Sequence, residues 1–165
     1  PTFFEELEQK LGGSKAEFSQ AYVIAHEVGH HVQNLLGYSS RTDSMRKTRR
    51  ENEFSIRLEL QADYLAGVWA HHADKKYRIL EGGDVDEAVK SAKAIGDDRI
   101  QKKMRGWVSP EGFNHGTAAQ RSASFQNGLK TGDASKRKLD QFFDESRTPF
   151  NGRTGELENS ELFGR

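Results

Sequence analysis

The sequence predicts a mainly α-helical domain, and two observations lead to this prediction. Apolar residues recur at three- and four-residue intervals in several segments, which is the spacing of one face of an α-helix. No segment alternates apolar and polar residues in the way that is typical of a half-buried strand. A length of 165 residues suits one domain, which we place at 1–145, before a loose polar tail at 146–165.

Composition excludes several classes of function. Lys plus Arg and Asp plus Glu each number 25, so the formal net charge is zero and we expect no nucleic-acid partner. The chain has no cysteine, and therefore no disulfide, thiolate ligand or cysteine nucleophile. No apolar run reaches the roughly 18 residues that span a bilayer, so we expect no membrane contact by this chain. Because the chain begins at Pro1 rather than Met, we expect upstream sequence, including any targeting segment.

The first predicted helix spans about residues 15 to 36. Ser14 can cap its amino end while Glu17 reaches back to the cap, and Gly37 supplies a stop. The apolar positions at helical spacing between them are Phe18, Tyr22, Ala25, Val28, Val32 and Leu35. The polar and basic stretch at 38–50 is predicted to be a solvated connection or the polar start of the next helix.

The second predicted helix spans about residues 52 to 73 and carries two stripes. One stripe is apolar and consists of Phe54, Leu58, Leu65 and Trp69. The other consists of small residues around two carboxylates, namely Glu59, Ala62, Asp63, Ala66 and Ala70. Small side chains let helices approach each other, so we expect this second stripe to press closely on the first helix.

Three weaker elements follow. Asp84 and Glu87 have capping-box spacing, and the apolar residues after them predict a third helix to about residue 104. A loop with Pro and Gly at 107–116 precedes a fourth helix, which Thr117 opens and Gly128 closes. A last short helix is predicted at the apolar cluster of Leu139, Phe142 and Phe143.

Residues 26–30 read HEVGH and lie inside the first predicted helix. His26 and His30 project from one face with Cβ atoms about 5–6 Å apart, so both imidazoles can bind one ion. Glu27 lies about a quarter turn away, where it can take a proton from a metal-bound water that attacks a carbonyl carbon. We predict Zn²⁺ because it accepts neutral imidazoles and keeps a position open for that water. Gly29 on the same face lets another backbone approach.

A catalytic zinc site usually has three protein ligands, so a third must come from another segment. Glu59 and Asp63 share a helix face four residues apart. We predict that Glu59 is the third ligand and that Asp63 accepts a hydrogen bond from a ligating imidazole, that of His26. The alternative is that both carboxylates face solvent and that the two histidines of the motif serve a core.

The other histidines and one arginine are further candidates for the same site. His115 stands in a Gly-flanked loop before a helix start, and we predict that it stabilises the oxyanion of the tetrahedral intermediate. Arg121 is a second candidate for that role or for binding a substrate carboxylate, and an ordinary loop histidine is the alternative for His115. Helical angle excludes His31, and a distance of roughly 18 Å along the helix axis excludes His71 and His72. We expect the latter two to be exposed at the end of the second helix, where they complement its dipole.

Four runs carry a specific resemblance: AYVIAHEVGHHVQNLLG at 21–37, ELQADYLAGVWAHHA at 59–73, AIGDDRIQKK at 94–103 and FNHGTAAQR at 113–121. In order and spacing, over about residues 3 to 133, the chain resembles the bacterial neutral zinc metallopeptidases. The resemblance implies the carboxyl-terminal part of a zincin-like domain. It also implies a gluzincin-like zinc metalloendopeptidase, in which the glutamate of an E-x-x-x-D segment, here Glu59 with Asp63, completes the HExxH site. A membrane anchor before this chain, and an extracytoplasmic location in the bacterial cell envelope, are further implications.

These observations predict zinc-dependent hydrolysis of a peptide bond in a peptide or protein substrate, with Glu27 activating the water. The rival function is a non-catalytic, zinc-stabilised helical module that binds a protein or cell-envelope partner through the basic segment 41–50 or the tail. The two functions predict different metal sites, because a structural site has four protein ligands and a catalytic site keeps one position open.

Overall fold

The computed structural model of the chain describes residues 13–40, 51–85, 116 and 118–144. Its helices are α1 (Gly13–Leu36), α2 (Glu51–Tyr77), α3 (Ala118–Thr131) and α4 (Lys136–Asp140), and a 3₁₀ turn at Gln141–Phe143 follows α4. No strand occurs within these ranges, and the prediction of a mainly α fold is confirmed. None of the helices in this part of the chain is long and apolar enough to cross a membrane.

The ends of α1 and α2 follow from local sequence. Gly37 adopts a φ of 80°, which closes α1 after Leu36 as predicted. The second helix continues four residues beyond its predicted end at 73, and it stops where Arg78 adopts a φ of 52° and donates its backbone N–H to Asp74. The predicted end at residue 73 was therefore too early. Lys75 and Lys76 belong to the last turn of the helix, where positive side chains interact favourably with the helix dipole.

The central helix of the fold is α2, and α1 runs antiparallel to it. Tyr22 contacts Asp63, whereas Gln33, three turns further along α1, hydrogen-bonds the earlier Leu58. The order of the contacts is therefore reversed between the two helices.

On another side of α2, helix α3 runs parallel to it. Ser124 donates its hydroxyl to the carbonyl of Leu60 at 2.6 Å, and His71 contacts the carbonyl of Leu129 at 2.7 Å. The contacts advance in the same direction along both helices. Helix α2 thus packs against α1 with one face and against α3 with another.

The backbones of α2 and α3 touch at two glycines. A Cβ atom on Gly67 would lie 2.0 Å from the carbonyl oxygen of Phe125, and a Cβ atom on Gly128 would lie 2.0 Å from that of Tyr64. Neither distance is compatible with a side chain, so the crossing of the two helices requires both glycines. The prediction that Gly128 ends the fourth helix was wrong, because this residue lies inside α3 as a packing residue.

The actual end of α3 is set by Gly132. This residue adopts a φ of 60°, and its N–H donates to the carbonyl of Gly128 at 2.8 Å. The helix therefore runs to Thr131, three residues beyond the predicted end.

Two apolar clusters form the core. The first, between α2 and the C-terminal segment, consists of Tyr38, Phe54, Ile56, Leu60, Tyr64, Val68, Leu139, Phe142 and Phe143. The second, between α1, α2 and α3, consists of Phe18, Tyr22, Ala25, Ala66, Ala70 and Phe125. The predicted last short helix thus exists as α4 and its 3₁₀ turn, and it belongs to the core.

Two predicted apolar stripes are only partly buried. In α1, the stripe is buried up to Ala25, but Val28 and Leu35 are 54% and 73% exposed. In α2, Trp69 is 41% exposed, whereas the alanines and Asp63 of the small-residue stripe are fully buried. Periodicity predicted correctly that these segments are helical, but it did not show which of their faces other helices cover.

Several predictions lie outside the described residues. Of the third predicted helix only Asp84 and Val85 are described, and both are helical. The basic segment 41–50, residues 107–115 and the tail at 146–165 are not among the described residues.

Candidate metal centre

The candidate site lies where α1 and α2 approach most closely. A Cβ atom on Gly29 would lie 3.0 Å from the carbonyl oxygen of Ala62, so the two helices meet backbone to backbone at these small residues. The residues three positions before and one position after each contact point are His26 and His30 on α1, and Glu59 and Asp63 on α2. The close contact therefore brings the four predicted site residues to one place.

Three of these residues direct ligand atoms at a common point. The Nε2 atoms of His26 and His30 are 3.1 Å apart, and each lies 3.4 Å from a carboxylate oxygen of Glu59. In the described part of the chain, these three side chains form the group that could hold a metal ion, because their ligand atoms all lie within 4.8 Å of one another. Ligands bound tetrahedrally at zinc distances lie roughly 3.4 Å from each other. The spacing of the three atoms therefore fits a zinc ion.

Asp63 fixes the orientation of His26. Its Oδ1 atom accepts a hydrogen bond from Nδ1 of His26 at 2.9 Å, and the carboxylate is fully buried. When His26 is neutral, donation from Nδ1–H leaves the lone pair of Nε2 on the side of Glu59 and His30, as a metal ligand requires.

Asp63 is itself held by two other residues. Arg121 donates to both carboxylate oxygens, from Nε at 2.8 Å and from Nη2 at 3.0 Å, and the hydroxyl of Tyr22 also donates to Oδ1. Two parallel N–H···O bonds make a planar pair that fixes the plane of the carboxylate. The structure thus gives Arg121 a different surrounding from the predicted one, because its guanidinium is buried against Asp63.

The charges of this network stabilise each other. Burial raises the pKa of Asp63, but Arg121 and His26 lower it further, and the net pKa lies below the usual value. Burial lowers the pKa of His26, whereas Asp63 and Glu59 raise it, and the resulting pKa is about 9. Burial and Asp63 both raise the pKa of Tyr22, which therefore stays protonated as a donor.

These pKa values predict that zinc uptake releases protons. A ligating imidazole must be neutral, so zinc bound at this site would displace the proton that a pKa of about 9 places on His26 at neutral pH. We expect zinc affinity to fall with pH below about 9, by up to roughly tenfold per pH unit for one proton. Calorimetric titration in buffers of different ionisation enthalpy measures the protons released. In Asp63→Asn, which weakens the charge partner of His26, the release at pH 7 should be smaller; no release from the unaltered chain would contradict the prediction.

His30 has a partner that the sequence analysis missed. Its Nδ1 atom lies 2.8 Å from Oε1 of Gln33, a fully buried side chain one turn further along α1. The signal was present in the sequence, because a residue three positions after a ligating histidine shares its helix face. The spacing alone was not enough to predict this role, because a polar residue such as glutamine on a helix usually faces solvent.

Of the remaining predicted residues, those that the structure describes do not join the cluster. Glu27 is exposed on α1 beside His26, and His115 lies outside the described residues. His31 is exposed. His71 and His72 were predicted to be exposed near the end of their helix, and the structure also brings them to the carbonyls of Leu129 and Gly132 at the C-terminal end of α3. Only His72 of these two is exposed.

Fold and site together define a mainly α-helical protein with a cluster of two histidines and one glutamate that could hold a metal ion. A family model described as "Putative neutral zinc metallopeptidase" matches residues 1–141. The chain belongs to this family. The match extends beyond the predicted limit at residue 133, and the additional residues include Leu139, whose side chain is buried against α2.

The curated relatives are bacterial. YpfJ of Escherichia coli (strain K12) is 45% identical over 135 residues, which cover 80% of this chain and 46% of that protein. Rv2575 of Mycobacterium tuberculosis (strain H37Rv) is 41% identical over 140 residues, covering 79% of this chain and 47% of that protein. The chain thus spans about half the length of these relatives. No solved structure matches the chain significantly.

Proposed function

We propose that the chain carries the zinc site of a gluzincin-like metallopeptidase, with His26, His30 and Glu59 as ligands and Glu27 as general base. The observation that carries this proposal is the convergence of three ligand atoms at 3.1 to 3.4 Å. Each imidazole also directs its Nδ1 atom at an acceptor away from the site. With both imidazoles neutral, the two Nε2 lone pairs face each other, and a cation bound between them would stabilise this arrangement.

The residues of the chain divide the work of peptide hydrolysis. Zinc bound at this site would polarise a peptide carbonyl and lower the pKa of a water. The carboxylate of Glu27 accepts the proton of the attacking water and returns it to the leaving amine. Asp63 keeps His26 in the tautomer that offers Nε2, and Arg121 keeps the Asp63 carboxylate in its plane.

The arrangement of Asp63 argues for an open coordination position. A structural zinc site has four protein ligands, and the two candidates for the fourth are His115, which lies outside the described residues, and Asp63. Its two oxygens already accept hydrogen bonds from His26, Arg121 and Tyr22. Turning toward the metal would leave a buried guanidinium unpaired, which costs several kcal/mol by order of magnitude. This cost disfavours Asp63 as a fourth ligand, and among the described residues it therefore supports an open coordination position.

Glu59→Ala tests the ligand set. We expect zinc content, measured by elemental analysis after dialysis, to fall from about one ion per chain to a small fraction, because two imidazoles alone bind zinc weakly. The matched control is Glu81→Ala, which removes an exposed carboxylate just beyond the end of the same helix and should leave zinc content unchanged. Equal zinc in both variants would refute the assignment of Glu59.

Two further measurements separate the proposed functions. Chelator-sensitive cleavage of an unfolded protein substrate supports the peptidase, and a fourth protein ligand in a zinc-loaded crystal structure supports the binding module. The substrate, and the cell-envelope location that the resemblance implies, remain proposals for the whole protein.

A further inference from the structure

Two fully buried glutamines lie behind His30, one on each helix of the site. Gln33 on α1 contacts the imidazole, and Gln61 on α2 contacts Gln33. A buried side-chain amide is costly unless its donors and acceptor are all satisfied. The hydrogen bonds of the two glutamines therefore show how each amide is oriented relative to His30.

A backbone carbonyl fixes which way the Gln33 amide faces. The carbonyl of Leu58 can only accept, and it lies 2.7 Å from Nε2 of Gln33. The nitrogen of this amide must therefore be on the Leu58 side, and its oxygen must be on the side of His30. Since that oxygen lies 2.8 Å from Nδ1 of His30 and can only accept, the imidazole must carry its proton on Nδ1.

Gln61 is oriented in the same way by a second carbonyl. Its Nε2 atom donates to the carbonyl of Leu139 at 3.0 Å, which turns its oxygen toward Gln33. That oxygen accepts the other amide proton of Gln33 at 2.9 Å. A chain of hydrogen bonds thus runs from His30 through both amides to the C-terminal segment, and backbone carbonyls set its direction at two points.

His30 needs such a partner more than His26 does. The side chain of His26 is 10% exposed, whereas that of His30 is 31% exposed and is open to rotation toward solvent. His26 is held by a carboxylate, and His30 is held by a neutral amide. The amide keeps the second imidazole in place without adding another charge to the site.

We propose that Gln33 is a positioning residue that fixes the Nδ1–H tautomer and the ring orientation of His30 for zinc binding, and that Gln33 is itself oriented by the Leu58 carbonyl, with Gln61 as a secondary support. The proposal rests on the proposed function, because it takes Nε2 of His30 as a zinc ligand. It adds a requirement to the HExxH motif of this chain, namely a glutamine three residues after the second histidine.

The test compares Gln33→Met with Gln61→Met. Methionine approximates the length and volume of glutamine, and each substitution removes one fully buried amide. Both variants should therefore lose stability in urea. In Gln33→Met the imidazole loses its acceptor, and we expect the zinc dissociation constant, measured by competition with a chromophoric chelator, to rise about 10- to 100-fold. In Gln61→Met the rise should stay below about fivefold, because Leu58 still orients Gln33.

The outcomes distinguish the two proposals. Zinc affinity of Gln33→Met within about threefold of the unaltered chain, or equal losses in both variants, would leave Gln33 a purely structural role and overturn the inference, while the zinc site would stand. An unaltered chain that binds no zinc would overturn both.

A measurement on the unaltered chain applies even if Gln33→Met does not fold. In the zinc-loaded protein, nitrogen-15 NMR of His30 should show a proton on Nδ1 that exchanges slowly with water. It should also show a nuclear Overhauser effect from that proton to the side-chain amide of Gln33. A His30 protonated on Nε2, or an Nδ1 proton in fast exchange, would overturn the inference.

Discussion

Replacing Glu27 by glutamine should abolish peptide hydrolysis and leave zinc binding intact. An amide has the shape of the carboxylate but cannot take the proton of the attacking water, so the rate should fall by about 10²- to 10⁴-fold. Glu27 is exposed and is not one of the three clustered ligands, so neither fold nor metal content should change. Cleavage of an unfolded protein substrate, with elemental analysis on the same sample, measures both quantities.

Two other variants are the controls for this prediction, and zinc content and activity are compared in all three. Glu59→Ala should lose zinc and activity together, whereas Glu27→Gln should lose activity alone. Glu81→Gln, which makes the same chemical change at an exposed position beyond the end of α2, should lose neither. Full activity in Glu27→Gln would show that another group is the base.

Gly128→Ala should destabilise the fold severely, although it exchanges glycine for the residue with the best helix propensity. Propensity alone would favour alanine by about 1 kcal/mol. The added methyl group, however, would lie 2.0 Å from the Tyr64 carbonyl oxygen, and backbone atoms on α2 cannot move without separating the helices. We expect a loss of about 3 kcal/mol or more, and a melting temperature lower by roughly 10 °C.

Gly82→Ala is the matched control for the crossing. A Cβ atom there would meet nothing within 4 Å, so the same chemical change should alter the melting temperature by less than about 2 °C. Thermal unfolding followed by circular dichroism measures both variants. A Gly128→Ala variant as stable as the Gly82→Ala variant would mean that the two helices do not touch at Gly128.

Local sequence predicted the parts of the site that depend on helical spacing. His26 and His30 were placed on one face by their separation, and Glu59 was selected by its position beside small residues on the second helix. The close contact of Gly29 with Ala62 brings His26, His30 and Glu59 together. Gly29 and Ala62 have small side chains, which can be read from the sequence. Residues that share a helix face can therefore be predicted without a structure.

The surroundings of these residues depend on distant parts of the chain. In a sequence, a glycine near the end of a helix can mark either the end of the helix or a close contact with another helix. For Gly128 the structure shows the second, because the backbone of α2 lies against this residue. Arg121 lies 58 residues beyond Asp63, so nothing local indicated that the two would pair. Val28 and Leu35 sit at apolar spacing in α1, but periodicity does not reveal whether another element covers that face.

The pairing of Arg121 with Asp63 also bears on the order in which the protein matures. Synthesis proceeds from the amino end, so α1 and α2 leave the ribosome before α3 does. Until α3 docks, the two histidines and Glu59 are all present, but the aspartate that aligns His26 lacks its guanidinium partner. A nascent chain should therefore reach full metal affinity at the proposed site only after residue 121 has emerged and α3 has docked.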